Sequence, residues 1–142
     1  MLHKVPNWED KLQDYTESKM RVPFKWGSND CITFAASWLD ILYNTRLIDD
    51  IEKDWKYFDK DTANNLIQAR SGDLLGVASV FLSERGFISK SVLKSRRGDI
   101  VIVNTDNGYM MTINTGKYLI APGETGIVFL SLLDGEISWG NK

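Results

Sequence analysis

Apolar residues recur at helical spacing through the first half of the chain and at strand spacing through the second. Asn7 stands where a cap is wanted, and Trp8, Leu12 and Tyr15 share one helical face behind it. Arg21 to Asn29 holds Pro23, Gly27 and Asn29 and reads as a loop. A second helix opens at Asn29 or Asp30, with Cys31, Ala35, Trp38 and Leu42 on one stripe. Ile48 to Asp61 is acidic around Trp55, Tyr57 and Phe58. Thr62 to Arg70 and Asp73 to Arg85 predict two more short helices. Gly72 separates them, and Gly86 suits the end of the second.

From Ile100 the period changes. Ile100 to Val103 is β-branched, and Asp106-Asn107-Gly108 is a hairpin signal. Tyr109 to Asn114, Tyr118 to Ala121, Ile127 to Leu132 and Glu136 to Trp139 follow. Gly116, Pro122, Gly123 and Asp134-Gly135 lie between them as turns. Short strands with short connections pair antiparallel. The pattern therefore predicts one α+β domain over residues 1–142, helical to about residue 90 and a sheet from about 97 to 140. The stripe on the second helix is expected to face Val101, Val103 and Ile113.

Composition narrows the picture without identifying a chemistry. The chain of 142 residues is 43% apolar and 25% charged, which excludes a disordered or collagen-like polymer. Seventeen Lys and Arg against 19 Asp and Glu give a net charge of −2, without the basic excess of a nucleic-acid binder. The longest apolar run, Leu74 to Leu82, is broken by Gly76 and Ser79. It falls short of the roughly 20 residues of a spanning helix. The first ten residues become acidic at Glu9-Asp10 and lack the apolar stretch of a signal peptide. One Cys and one His exclude an internal disulfide and cannot fill a four-ligand zinc site, and no metal or cofactor is expected.

The most distinctive segment is Pro23-Phe24-Lys25-Trp26-Gly27-Ser28-Asn29-Asp30-Cys31. It places the one thiol in the first turn of a helix, where the helix dipole favours a thiolate. Asp30 beside it opposes ionisation by like charge. The plainer reading makes Cys31 a small buried apolar residue. Phe24 and Trp26 on the loop, with Asp30 and Tyr109, are candidate cleft or partner contacts. Arg97-Gly98-Asp99 reads as a turn entering a strand, although the tripeptide also matches an adhesion motif. The acidic stretch Asp49 to Asp61 lacks the glycine and alternation of a calcium loop. Lys90, Lys94, Arg96 and Arg97 make a small basic patch.

Trp26-Gly27, Asp30-Cys31 and Phe34-Ala35 together resemble the start of the NlpC-like cell-wall peptidases, papain-like enzymes with a Trp-Gly loop before the nucleophile helix. Arg97-Gly98-Asp99 and the strand after it resemble their second landmark. The chain is more similar still to small phage and prophage tail-region proteins. That likeness runs from Trp8 to Ala121-Pro122-Gly123, Gly126-Ile127-Val128-Phe129-Leu130 and Trp139. The peptidases carry a general-base His at the start of the next strand. Aligning Ile113 with the Ile of that motif puts Met110 in the His position, and a thioether accepts no proton at neutral pH. His3 lies before the first helix and is no substitute.

The resemblance implies a papain-like, NlpC-like domain that has lost catalysis. It would serve as a structural or assembly component of a phage tail, near the tip, contacting other tail proteins within the virion after assembly in the host cytoplasm. The alternative is a cysteine peptidase or amidase acting on peptidoglycan peptide, with Cys31 as nucleophile. Neither reading involves nucleic acid or a membrane span.

Overall fold

The computed structural model describes residues 2–142. Five helices precede most of the sheet: α1 (Trp8–Lys19), α2 (Cys31–Tyr43), α3 (Leu47–Asp54), α4 (Lys60–Arg70) and α5 (Leu74–Glu84). Three of them begin on aspartates. Asp30 and Asp59 each accept from a backbone N–H of the first turn, while the threonine three residues on closes the capping box. Asp73 accepts from Gly76 N and starts α5. Asn7 does not cap α1 as the sequence suggests. It sits in the left-handed region at φ 58° and its side chain makes no capping bond.

The sheet has six antiparallel strands: β1 (Ile88–Lys90), β2 (Ile100–Thr105), β3 (Gly108–Asn114), β4 (Leu119–Gly123), β5 (Gly126–Leu130) and β6 (Gly135–Gly140). Their spatial order is β1-β6-β2-β3-β4-β5. The chain is thus an α+β domain, helices first and sheet after, as the change of period predicts. Two boundaries differ. β1 lies inside the stretch expected to be helical, because three residues, two of them exposed, become a strand only by pairing with β6. Pro122 and Gly123 belong to β4, and the turn falls on Glu124 and Thr125.

α2 is the centre of the molecule. Phe34, Ala35, Trp38, Leu39 and Leu42 are all but sealed from solvent between the other helices and the sheet. Strand alternation decides which β2 residues meet it. Ile100 and Ile102 join the helical core, with Ile113 and Ile120 from the neighbouring strands. Val101 and Val103, expected against α2, face the other way. There they pack with Leu119 beneath Val92, Leu130 and Leu132. A run of four apolar residues covered on both faces carries no signal of parity, so the sequence cannot assign the faces.

The Arg97-Gly98-Asp99 turn is buried at Gly98 and Asp99. Gly98 has φ +96°, and an added Cβ would meet Trp8, Leu42 and Trp38 within 3.4–3.7 Å. Its carbonyl accepts from Trp38 Nε1 at 2.8 Å. Asp99 is fully buried and pairs with Lys90 Nζ at 2.8 Å, so the tripeptide is a structural corner and not an adhesion loop. Lys90 is thereby removed from the basic patch.

Trp38 is buried completely and carries a long-range hydrogen bond. Trp38→Ala is expected to lower stability by about 3–5 kcal/mol. Trp38→Phe, which keeps most of the packing but orphans the Gly98 carbonyl, is expected to cost about 1–3 kcal/mol. Urea denaturation of the two variants checks the ordering.

Candidate functional site

The five residues singled out on the loop, the helix start and β3 converge. Phe24, Trp26, Asp30, Cys31 and Tyr109 all line one groove of about 780 Å³. Its opposite wall comes from α4 and the α4–α5 turn, and its rim from the β2–β3 hairpin and Pro122. Lys60, Asn64, Gln68, Asn104 and Asn107 add polar groups that the sequence alone does not bring together.

Asp30 holds this end of the molecule. Its carboxylate is 1% exposed. Oδ1 accepts from Ile32 N and Thr33 N, both at 2.9 Å, and Oδ2 accepts from Gly27 N at 2.8 Å. The Tyr57 hydroxyl donates to the same carboxylate at 2.8–2.9 Å. One side chain therefore caps α2, closes the Trp-Gly loop and fixes the segment after α3. Tyr57 is a site residue that sequence reading missed. It lies in the acidic stretch Asp49 to Asp61, where Trp55 and Tyr57 are buried while Phe58 is 73% exposed. The alternation of its aromatic residues was the available signal. Burial and the Asp30 charge push the Tyr57 hydroxyl far above its usual range, so it acts as a hydrogen-bond donor only. Two acids of this stretch have structural partners: Asp50 pairs with Arg85 at 2.9 Å and Asp59 caps α4.

Gly27 is the second constraint on the loop. At φ +85° an added Cβ would stand 3.0 Å from the Tyr57 carbonyl oxygen, so loop and tyrosine segment approach as only glycine permits. Trp26 is half-buried, edge-on to Phe24 at 4.8 Å and to Tyr57 at 6.4 Å. The aromatic cluster makes a firm wall for the groove.

Cys31 is the first residue of α2 and borders the groove. Burial pushes its thiol up to about 12, and the Asp30 charge adds to that effect. Backbone groups of Met111, Cys31 and Ile32 favour the thiolate, but desolvation outweighs them. The helix dipole expected to activate this thiol is thus overcome, and at neutral pH the sulfur is protonated.

The strand opposite supplies no base. Met110 was expected in the position of the catalytic His. It pairs with Val103, and alternation puts its side chain on the face turned away from the helices. Tyr109 and Met111 take the helix-facing positions and pack against the core that includes Cys31. Met110 nonetheless borders the groove that Cys31 and Tyr109 line, at the hairpin end of β3, and its thioether offers no proton acceptor there. His3 is remote as well. It lies two residues before Val5, whose N–H bonds to Leu42 O at the far end of α2. Eleven residues separate Leu42 from Cys31, about 16 Å along the helix axis.

Comparison with protein families becomes informative at this point, since one family model matches residues 3–140, nearly the whole chain. The chain belongs to the DUF6950 family, a domain of unknown function. No curated protein matches it. The DUF6950 match spans helices and sheet together, so the groove between them lies inside the family domain. No helix among the described residues is long and apolar enough to cross a membrane.

Two measurements test this site. Alkylation of Cys31 is expected to rise about tenfold per pH unit from pH 7 to 10 with no plateau, because a thiol at about 12 stays protonated across that range. A plateau near neutrality would mean an activated thiolate. Asp30→Ala leaves four donors without their acceptor, and an expected loss of about 3 kcal/mol or more should appear in thermal or urea unfolding.

Proposed function

We propose that this DUF6950 chain is a non-catalytic binding component built on a papain-like scaffold. In this reading it serves structural assembly in a phage tail near the tip, within the virion, and grips other tail proteins through the groove beside the Trp-Gly loop. One observation carries the loss of catalysis: the Cys31 thiol is driven up to about 12, and its helix-facing neighbours on β3 are Tyr109 and Met111. A neutral thiol with no imidazole lacks both the nucleophile and the proton acceptor of cysteine hydrolysis. The tail assignment rests on the ordered likeness to phage tail-region proteins, from the Trp-Gly loop to Trp139.

The groove suits binding better than chemistry. Its aromatic wall is pinned by Asp30 and Tyr57, and its amide side chains offer both donors and acceptors to an extended partner. The competing reading, a peptidoglycan peptidase or amidase with Cys31 as nucleophile, is favoured by one fact, that Cys31 heads α2 at the groove. It still needs a base, and Asp30 is already committed to four donors.

The deciding experiment compares two phage variants and one digestion assay. Cys31→Ala is expected to leave particle yield and infectivity within about twofold, since removing one sulfur costs only about 1–2 kcal/mol. Trp26→Ala is expected to weaken partner binding by roughly thirtyfold, the size of an aromatic hot spot, and to cut tail assembly accordingly. Purified wild-type protein is expected to leave peptidoglycan undigested. Digestion that disappears with Cys31→Ala overturns the proposal.

A further inference from the structure

The face of the sheet turned away from the helices carries two short 3-10 turns, Val92–Lys94 and Leu132–Asp134. They are built alike. Ser91 and Ser131 precede them, and each serine Oγ accepts from the N–H two residues on, at 3.3 and 3.1 Å. The first residue of each turn, Val92 or Leu132, packs down on Val101, Val103 and Leu119. The second is turned outward. Leu93 is 92% exposed and Leu133 is 89% exposed, more than any other large apolar side chain among the described residues. Gly135 follows the second turn directly, and an added Cβ there would stand 3.2 Å from Val92, so the two turns sit side by side. Val128, on the same face of β5, is 39% exposed and extends the apolar surface.

A lone exposed leucine is ordinary, but two held on neighbouring capped turns form a patch. The charges beside them indicate its occupant. Lys94 follows Leu93, and Asp134 follows Leu133; both are exposed, and neither has an ion-pair partner among the described residues. The patch thus presents one cation and one anion flanking an apolar centre. A two-fold axis through that centre would bring each Lys94 toward the other copy's Asp134 and the leucines of the two copies together. We infer that this face is a contact surface between two copies of the chain, forming an isologous dimer on the side of the sheet opposite the groove. It leaves the groove open in both copies and stands independently of the function proposed for it.

Sedimentation velocity on the purified full chain tests the pairing, at concentrations up to about 100 μM so that micromolar dissociation constants are covered. The wild type is expected to sediment as a dimer at the upper end. Leu93→Ser with Leu133→Ser is expected to give a folded monomer whose melting temperature matches the wild type at dilutions where the wild type is dissociated, because both side chains are solvent-exposed in the single chain. Lys94→Glu alone, or Asp134→Lys alone, places like charges together and is expected to weaken association by about tenfold or more. Carrying both exchanges in one chain restores the dimer, and mixing the two single variants gives a heterodimer. A wild type that stays monomeric at 100 μM overturns the proposal and leaves the face to a different protein. A dimer that survives the leucine changes, or a double exchange that fails to restore association, overturns it as well.

Discussion

The buried carboxylate of Asp30 is the constraint on which the functional end of this molecule depends. A charge removed from water is tolerated only when donors replace the lost hydration. Four do so here: Gly27 N, Ile32 N, Thr33 N and the Tyr57 hydroxyl. Three of these donors lie within three residues of Asp30 and the fourth is 27 positions away, so satisfying one side chain fixes the Trp-Gly loop and the start of α2 against the stretch after α3. The groove is the space left between them and the β2–β3 hairpin. Its shape follows from the demand that Asp30 be paired.

The same burial suppresses the chemistry that the motif suggests. A thiol at a helix start is poised to ionise only if it stays hydrated or meets a cation. Cys31 is desolvated and has the Asp30 charge beside it, and both favour the neutral form more strongly than the Met111 backbone group of β3 favours the thiolate. Tyr57 experiences the same field and is held as a donor. The local design therefore favours rigidity over reactivity, which suits a surface that binds and does not cut.

The opposite end of α2 holds a second buried aspartate, paired through Oδ2 alone, with no hydrogen-bond partner for Oδ1 among the described residues. Asp99 is fully buried in the corner before β2, where it accepts from Arg96 N at 2.8 Å and pairs with Lys90 from β1. Gly140 of β6 lies so close that a Cβ there would overlap the Asp99 carboxylate. Trp38 joins the same corner to the middle of α2 through the Gly98 carbonyl. One buried aspartate thus organises each end of the central helix, and both were visible as residues, though only Asp30 was recognised as one that matters.

Local features were legible in the sequence because their causes are local. The change from helical to strand spacing gave the α+β division, Asp30 and Asp73 marked two helix starts, and Asp106-Asn107-Gly108 marked the β2–β3 hairpin. The five site residues were legible for a similar reason, since four of them lie within eight positions of one another. What only the tertiary structure decided was pairing and parity. β1 exists because β6 inserts beside β2 and offers it an edge. Val101, Val103 and Met110 face away from α2 because alternation along a strand is absolute once one neighbour is placed, while an apolar run shows nothing of its phase. Tyr57 reaches Asp30 across 27 positions, and Cys31 packs against a core that includes Met111, 80 residues along the chain from it. Such effects depend on which distant segments exclude water together, and that is a property of the packed chain.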